Sequence, residues 1–329
     1  MKKAVQIIAA IDIGSNSIHM LLGYMNSQEE LTTIKSYKKI LTLGSSLAHT
    51  GELSKVAIEN TCLALEKMRD RAMAYRPLFM IVGTYAVRAA KNRAVLLEKI
   101  YKRTRLRVNV LPGEEEARLM GLAISYNFSR RNKELLCLDI GGGSTELAIY
   151  KNHRPLYLKS LALGSVVLTS KFLKNKGQTC NLGHIEKLEK AIEKTIAPLF
   201  HRLKDKTFKK AVICSGLGKT LAFMDYMDKT GEKLQNPDRY ILSRRKLQQF
   251  RSKVARMRNP SKIKTYWKMS GNRSEIVLAG LIILYLITEK LKISSWTISN
   301  YGIREGLILD TQKSEKKRRF SNANLHKKT

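Results

Sequence analysis

Two stretches of this 329-residue chain join an aspartate to a run of small residues: Asp12-Ile13-Gly14-Ser15-Asn16-Ser17 and Asp139-Ile140-Gly141-Gly142-Gly143-Ser144-Thr145. Each follows a short apolar run that reads as a buried strand. Small residues let a turn present several backbone N–H groups to one point, and such nests take phosphoryl oxygens. The leading carboxylate suits a hard cation or a water. One Gly-rich loop would be an ordinary tight turn. Two copies with the same order of Asp, Gly and Ser point to a phosphate-handling enzyme of two related halves, closing on one phosphate chain from opposite sides.

Other residues add reactive chemistry. Glu114, Glu115 and Glu116 follow a Pro112-Gly113 break, where acids favour a helix start. Glu146 ends the run Gly-Gly-Gly-Ser-Thr-Glu. Arg88 offers a permanently charged fork of donors, the form that grips phosphate. His19 lies two residues past Ser17, as a phosphate contact or as a hydrogen-bonded structural histidine. None of the six histidines has metal-ligand spacing. Gly218-Lys219-Thr220 imitates the end of a P-loop, but Ile213 stands where that motif needs its first glycine, so it is set aside.

The elements that must carry these residues repeat. Strands over 6–11, 18–25 and 31–43 form a meander opening. Ser54 caps a helix through about Tyr75, a strand covers 78–82, a helix 86–102, a strand 106–111, and a helix starts at the Glu114 run. After a polar basic linker at 127–133 the pattern begins again, with strands at 134–139 and 156–163 and helices at 165–173 and 184–203. A strand at 211–215, helices at 218–227, 243–257 and 274–290, a strand at 295–299 and a helix from Ile303 complete it. Repeated meander-plus-helix halves imply an α/β fold with two sheets facing a cleft.

Composition narrows the class. A hydrophobic content of 43% is ample for two cores. The formal charge of +34, from 61 Lys+Arg against 27 Asp+Glu, implies an anionic partner or an unusually basic proteome. Cys62, Cys137, Cys180 and Cys214 are scattered, with no CxxC pair, as in a reducing cytoplasm. The apolar stretch after Lys2 and Lys3 is too short for a leader and runs into the first loop. Ile276 to Ile287 is too short to span a bilayer and reads as a buried core helix. A cytoplasmic protein with no membrane partner is expected.

In order along the chain, AAIDIGSNSIHMLL, VGTYAVRAAKN, PGEEEARLMGLA, LDIGGGSTELAIY, SLALGSVVLTSKF, AGLIILYLI and YGIREGLILD resemble the exopolyphosphatase and guanosine pentaphosphate phosphohydrolase family. The resemblance implies two actin-like domains with a cleft between them, one spanning 1–126 and completed by 303–315, the other 127–302; by its composition, 316–329 reads as a basic disordered tail. It implies Mg²⁺ as cofactor and hydrolysis of terminal phosphates of inorganic polyphosphate or of pppGpp. By the same resemblance Glu116 is the general base and Glu146 a second cleft carboxylate. Asp12, Asp139 and Glu146 would hold the metal, and Arg88 would point to the phosphates. Relatives are commonly homodimers, but no interface is readable here. Two departures bear on substrate choice: Val167 stands where relatives carry an arginine, and Ser215-Gly216-Leu217-Gly218 matches loosely.

Arg239 to Ser274 contains no acid, and Arg244, Arg245, Arg251 and Arg258 crowd one helix beside Lys246, Lys253 and Arg256. This would suit a long polyanion outside the cleft; a solvated face of a basic protein is the plain alternative. Nucleic acid is not favoured, since no zinc finger, RNP motif or helix-turn-helix is present. The chain is read as an exopolyphosphatase. Hydrolysis of pppGpp, a non-catalytic polyanion-binding regulator and a kinase of the same fold are the rivals.

Overall fold

The computed structural model describes residues 5–128, 133–173, 180–269 and 272–312. Alternating and continuous apolar runs form two copies of one topology. In the first, β1 (Ile8–Ile13), β2 (Ser17–Met25) and β3 (Leu31–Ile40) are an antiparallel meander. After α1 (Leu43–Thr50) and α2 (Lys55–Met73), β4 (Leu78–Gly83) returns parallel to β1. Then follow α3 (Tyr85–Ala89), α4 (Arg93–Thr104), a short β5 (Asn109–Val110) and α5 (Gly113–Phe128).

The second copy opens with the meander β6 (Leu135–Ile140), β7 (Thr145–Lys151) and β8 (Arg154–Leu161). It continues through α6 (Ser165–Leu168), a π-helical turn Thr169–Leu173, α7 (Leu182–Leu203), β9 (Ala211–Ile213) and α8 (Gly216–Thr230). Next come β10 (Ile241–Ser243), α9 (Arg244–Met257), α10 (Pro260–Tyr266), α11 (Arg273–Lys290), β11 (Ser295–Ile298) and α12 (303–312). The sheet orders are β3-β2-β1-β4-β5 and β10-β11-β9-β6-β7-β8. Read from the meander inward, the five strands of the first sheet match β8-β7-β6-β9-β11 of the second, which adds β10 as an extra antiparallel edge strand.

The expected helix over 86–102 is two helices. Ala90 is extended, and the Asn92 carboxamide exchanges two hydrogen bonds with the backbone of Leu53, each 2.9 Å, which fixes the break. The expected strand at 106–111 contracts to Asn109–Val110, and the end of the expected third strand becomes α1. Most of the expected 127–133 linker and the tail lie outside the described residues. The apolar segment 276–287 sits in α11, which is buried nearly all round, as a core helix should be. Among the described residues no helix is long and apolar enough to cross a membrane.

Helices α5 and α12 lie between the sheets. Leu119, Leu307 and Ile308 join Ile8, Ala10 and Leu21, whereas Met120, Ile124 and Leu309 join Cys137, Ala148 and Tyr150. Their backbones nearly touch, because a Cβ on Gly306 would stand 2.1 Å from the Leu119 carbonyl oxygen. Arg118 ties the pair further, donating to Asp310 at 2.9 Å. Gly306→Val is therefore expected to cost about 1–3 kcal/mol by overpacking, read as a lower denaturant midpoint at unchanged slope.

Candidate active site

The two loops are the same turn. Gly14 N–H donates to the Ser17 carbonyl at 3.1 Å and Gly141 N–H to that of Ser144 at 2.9 Å. Loop carbonyls face outward and are taken by the following elements: Ser15 and Asn16 accept from Gly44, Leu41 and Thr42, and Gly141 and Gly142 from Ser165, Val166 and Val167. Ser15, Asn16, Gly142 and Gly143 donate their backbone N–H to no acceptor among the described residues. These amides line a cleft of about 510 Å³ between the sheets. Val167 thus supplies a backbone contact to the second loop.

The loop glycines owe their identity to close approach. None of Gly14, Gly141, Gly142 and Gly143 has positive φ. A Cβ on Gly142 would lie 3.0 Å from Ser15 Cβ, and one on Gly143 would lie 2.1 Å from the Tyr85 ring. The halves meet here, and Asn272 donates to Asn16 Oδ1 at 2.9 Å across the same seam.

Four carboxylates line the cleft: Asp12, Asp139, Glu116 and Glu146. Burial pushes Asp12 up to about 7, against the pull of Arg304. Its Oδ1 is buried without a hydrogen-bond partner. Asp139 is raised by burial and moderated by the Cys214 thiol. Burial, then Asp139, raises Glu146, which accepts from Ser160 at 2.8 Å. Glu116 is raised by burial and by Glu146, and is held in an ion pair with Arg88, whose guanidinium also donates to the Leu111 carbonyl at 2.7 Å. The acid run at the start of α5 divides its work, since Glu115 is tied to Arg118 at 2.7 Å while Glu116 turns inward.

Among the described residues no three His, Cys, Asp or Glu side chains converge as a ready metal cage. Hard carboxylates with one orphaned buried oxygen nevertheless fit Mg²⁺, which binds through one or two carboxylates plus waters and substrate oxygens.

The cleft lining is also cationic, and sequence reasoning missed most of these cations. Lys38 from β3, Lys219 from α8, Arg273 from α11 and Arg304 from α12 all line the cleft. Lys38, Lys219 and Arg273 make no ion pair with a described carboxylate, and Arg304 has only Glu305 at 3.7 Å. Burial, then Arg273, lowers Lys38 to about 8. His19, opposite Lys38 in the β2–β3 register, receives a 2.7 Å contact from Ser17 Oγ. Burial and Arg304 push it down to about 2, so it is a neutral ring. The one signal was Lys219, in the run dismissed as a failed P-loop.

Some expected residues stand elsewhere. Thr145 is fully buried and donates to the Leu163 carbonyl at 2.6 Å, away from the cleft. Arg88 sits behind Glu116 and is not among the cleft-lining residues. In the basic helix, Arg244 is paired with Glu289 and Arg251 with Glu189, Arg258 is the C-terminal cap, and Arg245 lines an outer groove.

Two duplicated meander-plus-helix sheets, closing on an amide-lined cleft, define an actin-like two-jawed α/β fold. Solved structures share it. The Aquifex aeolicus member of the Ppx/GppA protein family superposes with a TM-score of 0.78 at 24% identity, covering 95% of this chain and 99% of that one. An exopolyphosphatase from Cytophaga hutchinsonii gives 0.84 at 23% identity, covering 93% and 98%. The model of the Ppx/GppA phosphatase family matches residues 24–315, and the chain belongs to that family. A guanosine-5'-triphosphate,3'-diphosphate pyrophosphatase from Aliivibrio fischeri (strain MJ11) is 29% identical over 304 residues, 91% of this chain. The chain spans 58% of the length of that relative.

Proposed function

We propose that the protein is a cytoplasmic Mg²⁺-dependent exopolyphosphatase that removes terminal phosphates from inorganic polyphosphate. The jaws are residues 1–126 with 303–315, and 127–302. The observation that carries this reading is one cleft with unpaired loop amides, buried Glu116 and Glu146, and a set of cations of which Lys38, Lys219 and Arg273 make no ion pair with a described carboxylate. Phosphate oxygens satisfy the amides and Lys38, Lys219, Arg273 and Arg304, which orients the chain end toward the carboxylates. Glu116, with its basicity raised by burial, takes the proton from a water. The water oxygen bonds to the terminal phosphorus as the bridging P–O bond breaks, its electron pair leaving on the next phosphate. Asp12 and Asp139 would hold Mg²⁺, with Glu146 positioning water or metal, and the bound ion neutralises charge on the phosphate oxygens.

Hydrolysis of pppGpp to ppGpp is the second reading, favoured by the activity for which the Aliivibrio fischeri relative is named. Phosphate release from long-chain polyphosphate and from pppGpp, at equal terminal phosphate with Mg²⁺, tests both. Turnover of polyphosphate supports the first and turnover of pppGpp alone the second; release from neither overturns both.

The cation wall also predicts a pH-dependent ligand effect. Orthophosphate at a hundred times its dissociation constant should stabilise by about 2.7 kcal/mol at pH 7. The gain should shrink at pH 10, because Lys38 is charged below about 8 and neutral above it. Thermal melts at both pH values check this.

A further inference from the structure

The outer face of α9 carries a second basic surface outside the cleft. Arg245, Gln249, Ser252 and Arg256 recur at spacings of 4, 3 and 4, which places them along one stripe, while Leu247, Phe250 and Val254 are buried on the other side. Lys262 of α10 closes this stripe into a groove of about 840 Å³. The acids that reach this region serve other cations: Glu289 holds Arg244, Glu189 holds Arg251, and Asp225 and Asp228 hold Lys246. Arg245, Arg256 and Lys262 make no ion pair with a described carboxylate. Of the groove's cations Lys253 has Asp228 at 3.7 Å, while Arg245, Arg256 and Lys262 offer charge and hydrogen-bond donors without internal compensation.

Its chemistry selects among polyanions. No aromatic residue lines it. The nearby exposed Tyr266 is capped, with Lys253 Nζ 3.9 Å from its ring centroid and bonded to its hydroxyl at 2.7 Å. Single-stranded nucleic acid binds by stacking bases on free rings, and none is offered. A bare chain of phosphates needs only the cations and donors. The position is also suitable. Arg244 pairs with Glu289 and Arg251 lies over Tyr285, so α9 runs antiparallel to α11. The C-terminal end of α9 thus points toward the end of α11 that brings Arg273 into the cleft. From there the 14-residue helix extends about 21 Å.

We propose that the α9–α10 groove binds the distal stretch of the polyphosphate chain whose end lies in the cleft, a proposal that rests on the exopolyphosphatase reading. The test is equilibrium binding of fluorescent polyphosphate of several hundred units, beside tripolyphosphate, to wild type and to Arg245→Glu/Arg256→Glu. Both positions are exposed, and a matching thermal melt confirms the variant is folded. Long-chain affinity should fall at least about tenfold and its log–log salt slope flatten by about two, with tripolyphosphate moved less than about twofold. Unchanged long-chain binding, or equal loss for both ligands, overturns the proposal. Single-stranded RNA of equal charge that binds more tightly than polyphosphate and is lost in the same variant also overturns it, making the groove a nucleic-acid surface. Binding is read without turnover, so a protein that binds the long chain through this groove but releases no phosphate sinks the hydrolase reading and keeps the groove.

Discussion

Glu116→Gln is expected to cut phosphate release by about 10²–10⁴-fold, the usual contribution of a positioned general base. The change preserves shape and leaves an amide oxygen for Arg88, so the loss isolates the carboxylate. Two further readouts distinguish this from structural damage. In wild type, burial and the neighbouring Glu146 hold the Glu116 proton to higher pH than an ordinary glutamate. Activity should therefore still be climbing above the ordinary carboxylate range, since the base must be ionised to act. Stability should move in the opposite sense. A carboxyl whose folded pKa is raised binds more protons folded than unfolded, so its contribution is fully present below 4.5 and is lost as pH rises toward the folded value. Glutamine removes that loss, and the variant should melt higher than wild type at pH 8, with the difference vanishing near pH 4. A variant with near-normal turnover would move the base elsewhere, with Glu146 next to test.

Features set by local rules were legible in the sequence, and those set by distant partners were not. The duplicated Asp-Gly loops, the alternating strands and the apolar 276–287 stretch of α11 follow local rules of period and turn chemistry, and the structure contains them nearly as read. The break between α3 and α4 was not legible, because Asn92 is fixed by Leu53, a partner 39 residues away. The cation wall was hidden for the same reason. Lys38, Lys219, Arg273 and Arg304 come from separate elements, each an unremarkable basic residue in a chain with 61 of them. The basic helix misled in the other direction: an acid-free run looked uniformly cationic, yet distant Glu189 and Glu289 neutralise two of its arginines. At Gly142 and Gly143 space is demanded by the facing loop and the Tyr85 ring, contacts between the halves that no local pattern shows.

Arg273→Ala should raise KM for the phosphate substrate by roughly ten- to hundredfold, because a hydrogen bond to a charged group contributes about 1.5–3 kcal/mol. Its effect on kcat should be smaller, since Arg273 pairs with none of the cleft carboxylates and a contact to non-reacting phosphate oxygens binds ground and transition states alike. The wall gives an internal check. After burial, Arg273 is the largest influence lowering Lys38 to about 8. In wild type, KM should therefore rise as pH passes 8 and Lys38 loses its proton. In the alanine variant that rise should begin at higher pH, because a like charge has been removed. Arg273→Lys should restore the wild-type midpoint more fully than it restores KM, since an ammonium reproduces the charge but not the fork that now donates to Thr220 at 2.6 Å. An unchanged KM with an unchanged pH midpoint would separate this wall from the phosphate path and leave the loop amides as the sole grip on the chain.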